Sequence, residues 1–312
     1  MIDFELDDLA PLANLVRNDL VESKHFGIAC LVDPEGNLIA ERGNSKRLIY
    51  PRSSVKPLQA VATKRAGLKL SGAQLAISAG SHHGTSAHTD LVLSILAGVG
   101  LGEDALQCPV AWPANSAARA EATAETKACF NCSGKHAGFL AACVAAGWDT
   151  KTYLDPAHPL QKLIVEVLEE YAGEPVAHST IDGCGAPLHA VSLVGLAKSV
   201  GKFARQDSEI ADAMLQNPWA VADASSPDTL IMQRGLISKL GAEGVFVVAN
   251  RDGYCAAVKV ADGALRPGPL VALKLFYDNQ LISQQDYEDL VAQIAPKVLG
   301  GNNTVGYFAA VV

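Results

Sequence analysis

Strand-like segments lie near both ends of this 312-residue sequence, and helix-like segments fill the middle. Residues 26–40 and 245–260 each contain two apolar runs around a polar, glycine-containing turn, which is the pattern of a β-hairpin. Residues 304–312 predict a final strand. This order argues against the regular strand–helix alternation of a doubly wound parallel sheet. We therefore predict an α+β fold in which both ends of the chain build one antiparallel sheet.

The middle of the chain predicts helices that cover this sheet and form an inserted lobe. Apolar residues recur there at helical spacing, and glycine or proline marks several ends. The predicted helices span 57–67, 72–80, 86–98, 133–146, 159–172, 189–200, 207–216, 269–279 and 284–293. Residues 108–132 show no clear period and are predicted to be mainly loop. We expect one domain of two lobes, a sheet lobe from roughly 1–60 and 240–312 and a helical lobe from roughly 61–239.

Charge and hydropathy exclude several classes of partner. The net charge is −8, and Lys46–Arg47 is the main basic cluster, so neither nucleic acid nor an anionic membrane is an expected partner. No run of 18 apolar residues predicts a membrane span, and the acidic N-terminus is unlike a secretory signal. The seven cysteines are odd in number and irregularly spaced. We therefore expect a cytoplasmic protein without a disulfide framework.

The spacing Ser53-x-x-Lys56 is the first candidate for chemistry. On a helix these two side chains share a face, and Pro57 requires the helix to begin close to Ser53. The positive end of the helix would then stabilise an alkoxide and favour a neutral lysine as base. The alternative is an ordinary serine cap followed by a solvated lysine, and this short spacing alone favours that alternative.

Two further polar segments have the composition of an active site. Ser81 lies in the glycine-flanked turn Ser81-His82-His83-Gly84, and Lys239 precedes the second hairpin in the triplet Lys239-Leu240-Gly241. A Lys-x-Gly triplet faces the nucleophile in penicillin-recognising serine enzymes. The alternatives are exposed histidines in a turn and a charged turn before a strand.

Cysteines occur in two glycine-containing segments. The first runs from Cys129 to His136 and includes Cys132 and Lys135; the second surrounds Cys184. Two thiolates and a nitrogen ligand would form a tetrahedral metal site with one open position. Two buried thiols are the alternative, and a second Cys-x-x-Cys, which a four-cysteine ribbon needs, is absent from the sequence.

Taken in this order, these segments resemble the rhizobial-type L-asparaginases over nearly the whole chain. The matching segments are Arg52-Ser53-Ser54-Val55-Lys56-Pro57-Leu58-Gln59-Ala60, Ser81-His82, Asn131-Cys132-Ser133-Gly134-Lys135-His136, Asp182-Gly183-Cys184 with Pro187, and Lys239-Leu240-Gly241-Ala242. The resemblance implies a fold like that of serine β-lactamases and penicillin-binding proteins. It also implies hydrolysis of a small molecule, L-asparagine, to L-aspartate and ammonia.

The resemblance further implies residue roles. Catalytic Ser–Lys pairs fall on Ser53–Lys56 and Ser81–Lys239, and zinc ligands fall on Cys132, Lys135 and Cys184. The substrate pocket is expected to include Arg52, His136, Asp182 and Cys184. Family members form homodimers, and the zinc is not strictly required for turnover.

The sequence hypothesis is amide hydrolysis through an ester on Ser53, with Lys56 as the base. Several alternatives stay open: a glutaminase or β-lactam-hydrolysing enzyme on the same scaffold, a cysteine hydrolase using Cys132 and His136, and a non-catalytic protein that binds an amino acid or zinc. The sequence does not assign the first covalent bond to one of the two serines.

Overall fold

An antiparallel sheet with helices on both faces forms the scaffold of the computed structural model, which describes residues 4–312. The strands are β1 (Ala10–Arg17), β2 (Leu20–Val32), β3 (Leu38–Arg42), β4 (Leu48–Ile49), β5 (His178–Ile181), β6 (Pro187–Ser192), β7 (Ile237–Gly241), β8 (Val245–Ala249), β9 (Cys255–Val260), β10 (Val298–Gly300) and β11 (Asn303–Ala310). Eight of them form one sheet, in the order β10-β11-β1-β2-β9-β8-β7 with β3 beside β2. The predicted sheet from both chain ends is therefore confirmed.

The helices are α1 (Lys56–Arg65), α2 (Gly72–Ser78), α3 (Ser86–Gly98), α4 (Ser116–Glu121), α5 (Ser133–Ala146), α6 (Pro159–Ala172), α7 (Leu193–Gln206), α8 (Ser208–Gln216), α9 (Pro218–Val221), α10 (Pro227–Met232), α11 (Pro267–Asp278) and α12 (Gln284–Ile294). Their ends follow local chemistry. In α6, the His158 side chain accepts the backbone N–H of Leu160, and Gly173 closes the helix in the left-handed conformation.

The main sheet separates two hydrophobic cores. Alternate residues of a strand point to opposite faces, so Ile28 and Cys30 of β2 enter one core while Ala29 and Leu31 enter the other. The first core contains α1, α5, α6 and α7, and the second contains α11 and its contact with α12. The sheet is thus covered by helices, as the sequence predicts, and the structure shows that they lie on both faces.

The second sheet is small and was not predicted. It joins β4, β6 and β5 in that order, and β5 and β6 lie in the middle of the chain, where the sequence predicts helices. The predicted helix at 189–200 in fact begins as β6 and becomes helical at Leu193. The proposed lobe boundaries stay a prediction. Within residues 4–312, every helix is too short or too polar to span a membrane.

Candidate active site

The candidate site lies where the edge strand β7 meets the start of α1, the loop after α2 and the start of α5. Gly241 allows this approach, because a Cβ there would lie 2.5 Å from the Pro51 carbonyl oxygen. The loop after α2 is anchored by the Ser81 N–H, which donates to the Val221 carbonyl at 2.7 Å. Segments that are far apart in sequence therefore present their polar side chains to one region.

Lys56 is fully buried and contacts Ser81 at this junction. Its Nζ lies 2.9 Å from Ser81 Oγ, 2.5 Å from the Gly80 carbonyl oxygen and 3.4 Å from the Asn131 carbonyl oxygen. The pKa of Lys56 is lowered from 10.5 to about 8, mainly by burial. The Cys132 thiolate opposes this lowering, whereas the charges of Lys135 and Lys239 add to it. A neutral amine has two N–H donors and one lone pair. With the two carbonyls accepting the donors, the lone pair faces the Ser81 hydroxyl.

Ser53 is not paired with Lys56 in the structure. Its side chain is half-buried and has no hydrogen-bond partner within residues 4–312, and the contact between the two residues is the Lys56 N–H to the Ser53 carbonyl. The spacing rule assumes that both residues belong to one α-helix, but Ser53 lies in the 3-10 turn Arg52–Val55 and α1 begins at Lys56. The catalytic role of Ser53 stays a prediction.

Arg52 and Asp182 form an ion pair next to this turn. Arg52 Nε and one terminal nitrogen lie 2.9 and 2.8 Å from Asp182 Oδ1. Both residues line an open cavity of about 560 Å³ that also includes Tyr50, His178 and Thr180. The structure thus brings together two of the predicted substrate-binding residues.

Lys239 is also fully buried, but its nearest anionic partner is Asp228. Lys239 Nζ lies 3.6 Å from Asp228 Oδ2 and donates to the Leu240 carbonyl at 3.0 Å. Burial lowers the pKa of Lys239, and the Asp228 carboxylate opposes that lowering. The expected Ser81–Lys239 hydrogen bond is not formed, although both residues line a second cavity of about 360 Å³.

The three predicted metal ligands meet in the interior. Lys135 Nζ lies 3.1 Å from Cys184 Sγ, and Cys132 and Cys184 are hydrogen-bonded to each other. That hydrogen bond, together with the nearby Lys56 and Lys135, holds the pKa of Cys132 well below its usual range, whereas the same hydrogen bond and burial raise the pKa of Cys184. Burial disfavours a charge on Lys135, but Cys184 and Cys132 outweigh it and raise the lysine pKa. Without metal, the cluster is a thiolate–thiol pair beside an ammonium.

His136 lies beneath this cluster and is completely buried. Its Nδ1 lies 2.7 Å from the Tyr153 hydroxyl, while its Nε2 has no partner within the described residues. Burial keeps its pKa well below the usual value, so the imidazole is neutral. The structure places His136 beside Lys135, but it shows no contact with Ser53 or Ser81.

Asp228 is a residue of the candidate site that the sequence does not predict. Ser226-Pro227-Asp228 is a helix-start pattern, since Ser226 accepts the Thr229 N–H and Pro227 opens α10. That pattern predicts the helix but gives no indication that the carboxylate turns back toward Lys239.

Buried lysines beside a serine and a thiol pair, at the edge of an antiparallel sheet, form the candidate active site. Comparison with known families is more specific: the L-asparaginase II profile matches residues 13–310. The chain therefore belongs to the L-asparaginase II family. This membership supports L-asparaginase activity. The expected family is confirmed by this match.

Solved structures are more distant. Mglu in its glutamate form shares 15% identity with a TM-score of 0.48, over 82% of this chain and 61% of that chain. Its native form shares 14% identity with a TM-score of 0.45, over 86% and 68%. A β-lactamase from Mycobacterium bovis shares 13% identity with a TM-score of 0.39, over 81% and 94%. The chain thus spans about three fifths of the first of these proteins. No curated protein matches the sequence.

Proposed function

We propose that the chain hydrolyses the side-chain amide of L-asparagine, with Lys56 as the base that activates Ser81. The observation that supports this assignment is the 2.9 Å contact between Lys56 Nζ and Ser81 Oγ. A pKa of about 8 leaves a useful fraction of Lys56 neutral near physiological pH. Family membership supplies the substrate class.

The proposed reaction has two halves. Lys56 accepts the Ser81 proton as Ser81 Oγ attacks the amide carbon, and the resulting lysine ammonium then protonates the departing nitrogen, which leaves as ammonia. The product of this half is a β-aspartyl ester on Ser81. In the second half, Lys56 takes a proton from water, the hydroxide attacks the ester, and the proton returns to Ser81 as aspartate departs.

Ser53 is the second candidate for the covalent bond. Its hydroxyl has no hydrogen-bond partner among residues 4–312, and Ser53 directly follows Arg52 of the Arg52–Asp182 pair. In that case Ser81 would carry the proton between Lys56 and Ser53, and the same Lys56–Ser81 contact would serve the reaction.

Mapping the covalent adduct distinguishes these assignments. Wild-type protein, Ser53→Ala and Ser81→Ala are mixed with asparagine, quenched with acid within one turnover, digested and analysed by mass spectrometry. We expect a β-aspartyl adduct on the peptide that contains Ser81, and ammonia release that is lost in Ser81→Ala. An adduct on Ser53 would reassign Ser81 as the proton carrier. Rapid turnover by Ser81→Ala would contradict both versions.

Zinc binding by Cys132, Lys135 and Cys184 is a further part of this proposal. Two sulfurs and a nitrogen are a soft donor set that fits zinc. Lys135 contacts Cys184, and Cys132 interacts electrostatically with both. Binding requires Lys135 to release its proton, because an ammonium has no lone pair. When bound, zinc would supply a Lewis acid. Elemental analysis should find about one zinc per chain in wild-type protein and little in Cys184→Ala; equal contents would contradict the ligand set.

Ammonia release from asparagine and glutamine should be compared in one assay and β-lactam ring opening in another, with asparagine expected to be hydrolysed fastest. Modification by iodoacetamide tests the cysteine-hydrolase alternative, because a Cys132 nucleophile predicts complete inactivation.

The resemblance also favours a homodimer in the cytoplasm. Light scattering at several protein concentrations measures the oligomeric state, and a monomer at all of them would contradict it.

A further inference from the structure

Two buried polar atoms without hydrogen-bond partners lie on two elements that meet at one small cavity. Gln59 of α1 and His189 of β6 are each 7% exposed. Gln59 Oε1 and His189 Nε2 are sealed from solvent, and neither has a hydrogen-bond partner among residues 4–312. Burying a polar group without a partner is costly, and such groups in folded proteins nearly always have one. The two atoms therefore indicate a shared partner that is not part of the protein chain.

The cavity that Gln59 and His189 both line has the size of a single small molecule. Its volume is about 10 Å³, which is close to the lower limit for one buried water. It has no room for a larger ligand. Its other lining residues are apolar: Val55, Leu58, Ile164, Leu168, Pro187 and Leu188. The polar contacts of a bound molecule must therefore come from Gln59 and His189.

His189 is neutral in this position. Burial lowers its pKa, and the charge of Glu169 opposes that lowering. Its Nδ1 lies 2.9 Å from Ser179 Oγ on the paired strand β5, and a neutral imidazole has one N–H and one lone pair. Because the serine hydroxyl can donate or accept, Nε2 is left as an acceptor or as a donor. An ion in this cavity would lose its hydration without meeting an opposite charge, which favours a neutral ligand.

We propose that one water molecule is bound in this cavity and bridges Gln59 Oε1 to His189 Nε2. A water both donates and accepts, so it donates to the amide oxygen and fits either tautomer of the imidazole. Exchange of the amide oxygen and nitrogen of Gln59 would present N–H donors, which the same water accepts. The two side chains do not hydrogen-bond to each other directly, and two polar partners are sufficient for a buried water.

The bridge joins two elements that carry residues of the candidate site. Gln59 lies one turn after Lys56 on α1, while β6 follows the segment that contains Asp182 and Cys184. The water therefore fixes the distance between the helix of the proposed base and the strand that follows one of the predicted metal ligands. The inference concerns how these elements are held together, and it does not depend on the proposed reaction.

A high-resolution crystal structure of the wild-type protein tests the water directly. We expect one density peak within hydrogen-bonding distance of both Gln59 Oε1 and His189 Nε2. The crystal structure of the double variant Gln59→Met/His189→Leu should lack that peak, since neither polar partner remains. A wild-type cavity without density, or a direct hydrogen bond between the two side chains, would overturn the inference.

Urea unfolding tests the coupling of the two residues in solution. Gln59→Met and His189→Leu each remove one polar partner and leave the other with incomplete hydrogen bonding. We expect each unfolding midpoint to fall by about 0.5 M, the shift for loss of one buried hydrogen bond in a chain of this size. The double variant removes both polar atoms, so its midpoint should lie above those of both single variants.

Ser179→Ala is the matched control for His189. It removes the other hydrogen bond of the same imidazole at an exposed strand position, so it should shift the midpoint less than either single variant. Additive losses in the double variant would show that Gln59 and His189 act independently. That result, or wild-type midpoints in both single variants, would contradict the bridge.

Discussion

Replacing Gly134 with alanine is expected to separate α5 from α2 and to displace the residues of the candidate site that these two segments carry. Gly134 lies in the first turn of α5, where an added Cβ would lie 2.5 Å from the Ile77 carbonyl oxygen and 2.8 Å from Ile77 Cγ1. Carbon–oxygen contacts are normally about 3.3–3.6 Å, so the two helices must move apart by roughly 1 Å. Because the oxygen belongs to the backbone, rotation of a side chain does not relieve the contact. Overpacking of this kind costs about 1–3 kcal/mol.

The movement should also reduce activity. Cys132 and Lys135 are carried by the start of α5, while Gly80 and Ser81 follow α2. The hydrogen bond from His82 Nε2 to Ser133 Oγ, at 2.8 Å, joins the two segments. A displacement of about 1 Å in catalytic geometry can cost on the order of 100-fold in rate, so we expect kcat/KM to fall between about 10-fold and 100-fold.

Urea unfolding at 25 °C and ammonia release measure the two effects. Gly98→Ala is the matched control: Gly98 ends α3, and among the described residues no atom beyond its own turn of helix lies within 4 Å of an added Cβ. That variant should gain up to about 1 kcal/mol because alanine loses less backbone entropy in a helix, with unchanged activity. If Gly134→Ala unfolded at the wild-type midpoint and kept wild-type kcat/KM, the close contact between α5 and α2 would be refuted.

For three other changes, the structure predicts the direction of the effect on activity or stability. Since the base must be neutral and the pKa of Lys56 is lowered to about 8, kcat/KM for asparagine should rise from pH 7 to pH 9 and then level; a steady fall over that range would exclude Lys56 as the base. Tyr153→Phe leaves the Gln107 N–H and His136 Nδ1 without their partner, so chemical denaturation should show a loss of about 1–3 kcal/mol; an unchanged midpoint would contradict those contacts. Arg65→Ala removes a partly exposed ion pair with Glu170 and should cost no more than about 1 kcal/mol in the same measurement; a larger loss would contradict that assignment.

The helices were predictable where their ends have strong local signals. The sequence predicts 86–98, 133–146 and 159–172, and the structure has α3, α5 and α6 over the same residues. Gly147 and Gly173 end two of them in the left-handed conformation, which glycine adopts without strain. A glycine at the position after the last helical residue is enough to predict where α5 and α6 end.

Strands with unusual burial were not predictable in this way. All four residues of β5 are exposed and all six of β6 are buried, so neither strand alternates between apolar and polar positions. The apolar run of β6 continues into α7 and is indistinguishable from the start of that helix by periodicity. The boundary is Ser192, whose side chain accepts the Gly195 N–H.

The residues of the candidate site were easier to predict than their contacts. The sequence selects Lys56, Ser81 and Lys239, but it pairs Lys56 with Ser53 by local spacing. The structure pairs Lys56 with Ser81, which is 25 residues away, and Lys239 with Asp228 on a helix that was not predicted. Local spacing carries no information about such long-range contacts, since they depend on how β7, α2 and α10 pack.

Three buried lysines in one site have a consequence for both stability and chemistry. Lys56, Lys135 and Lys239 are 1%, 3% and 0% exposed, and a lysine without a partner at that depth would be strongly destabilising. Each is compensated by different chemistry: Lys56 by carbonyl oxygens and a hydroxyl, Lys135 by thiols, and Lys239 by a carboxylate. These partners favour different protonation states of the same side chain. The surroundings of Lys56 suit a proton acceptor, those of Lys135 raise its pKa, and in those of Lys239 a carboxylate opposes the lowering of the pKa by burial. One residue type therefore has three different environments in this site because each copy has a different partner.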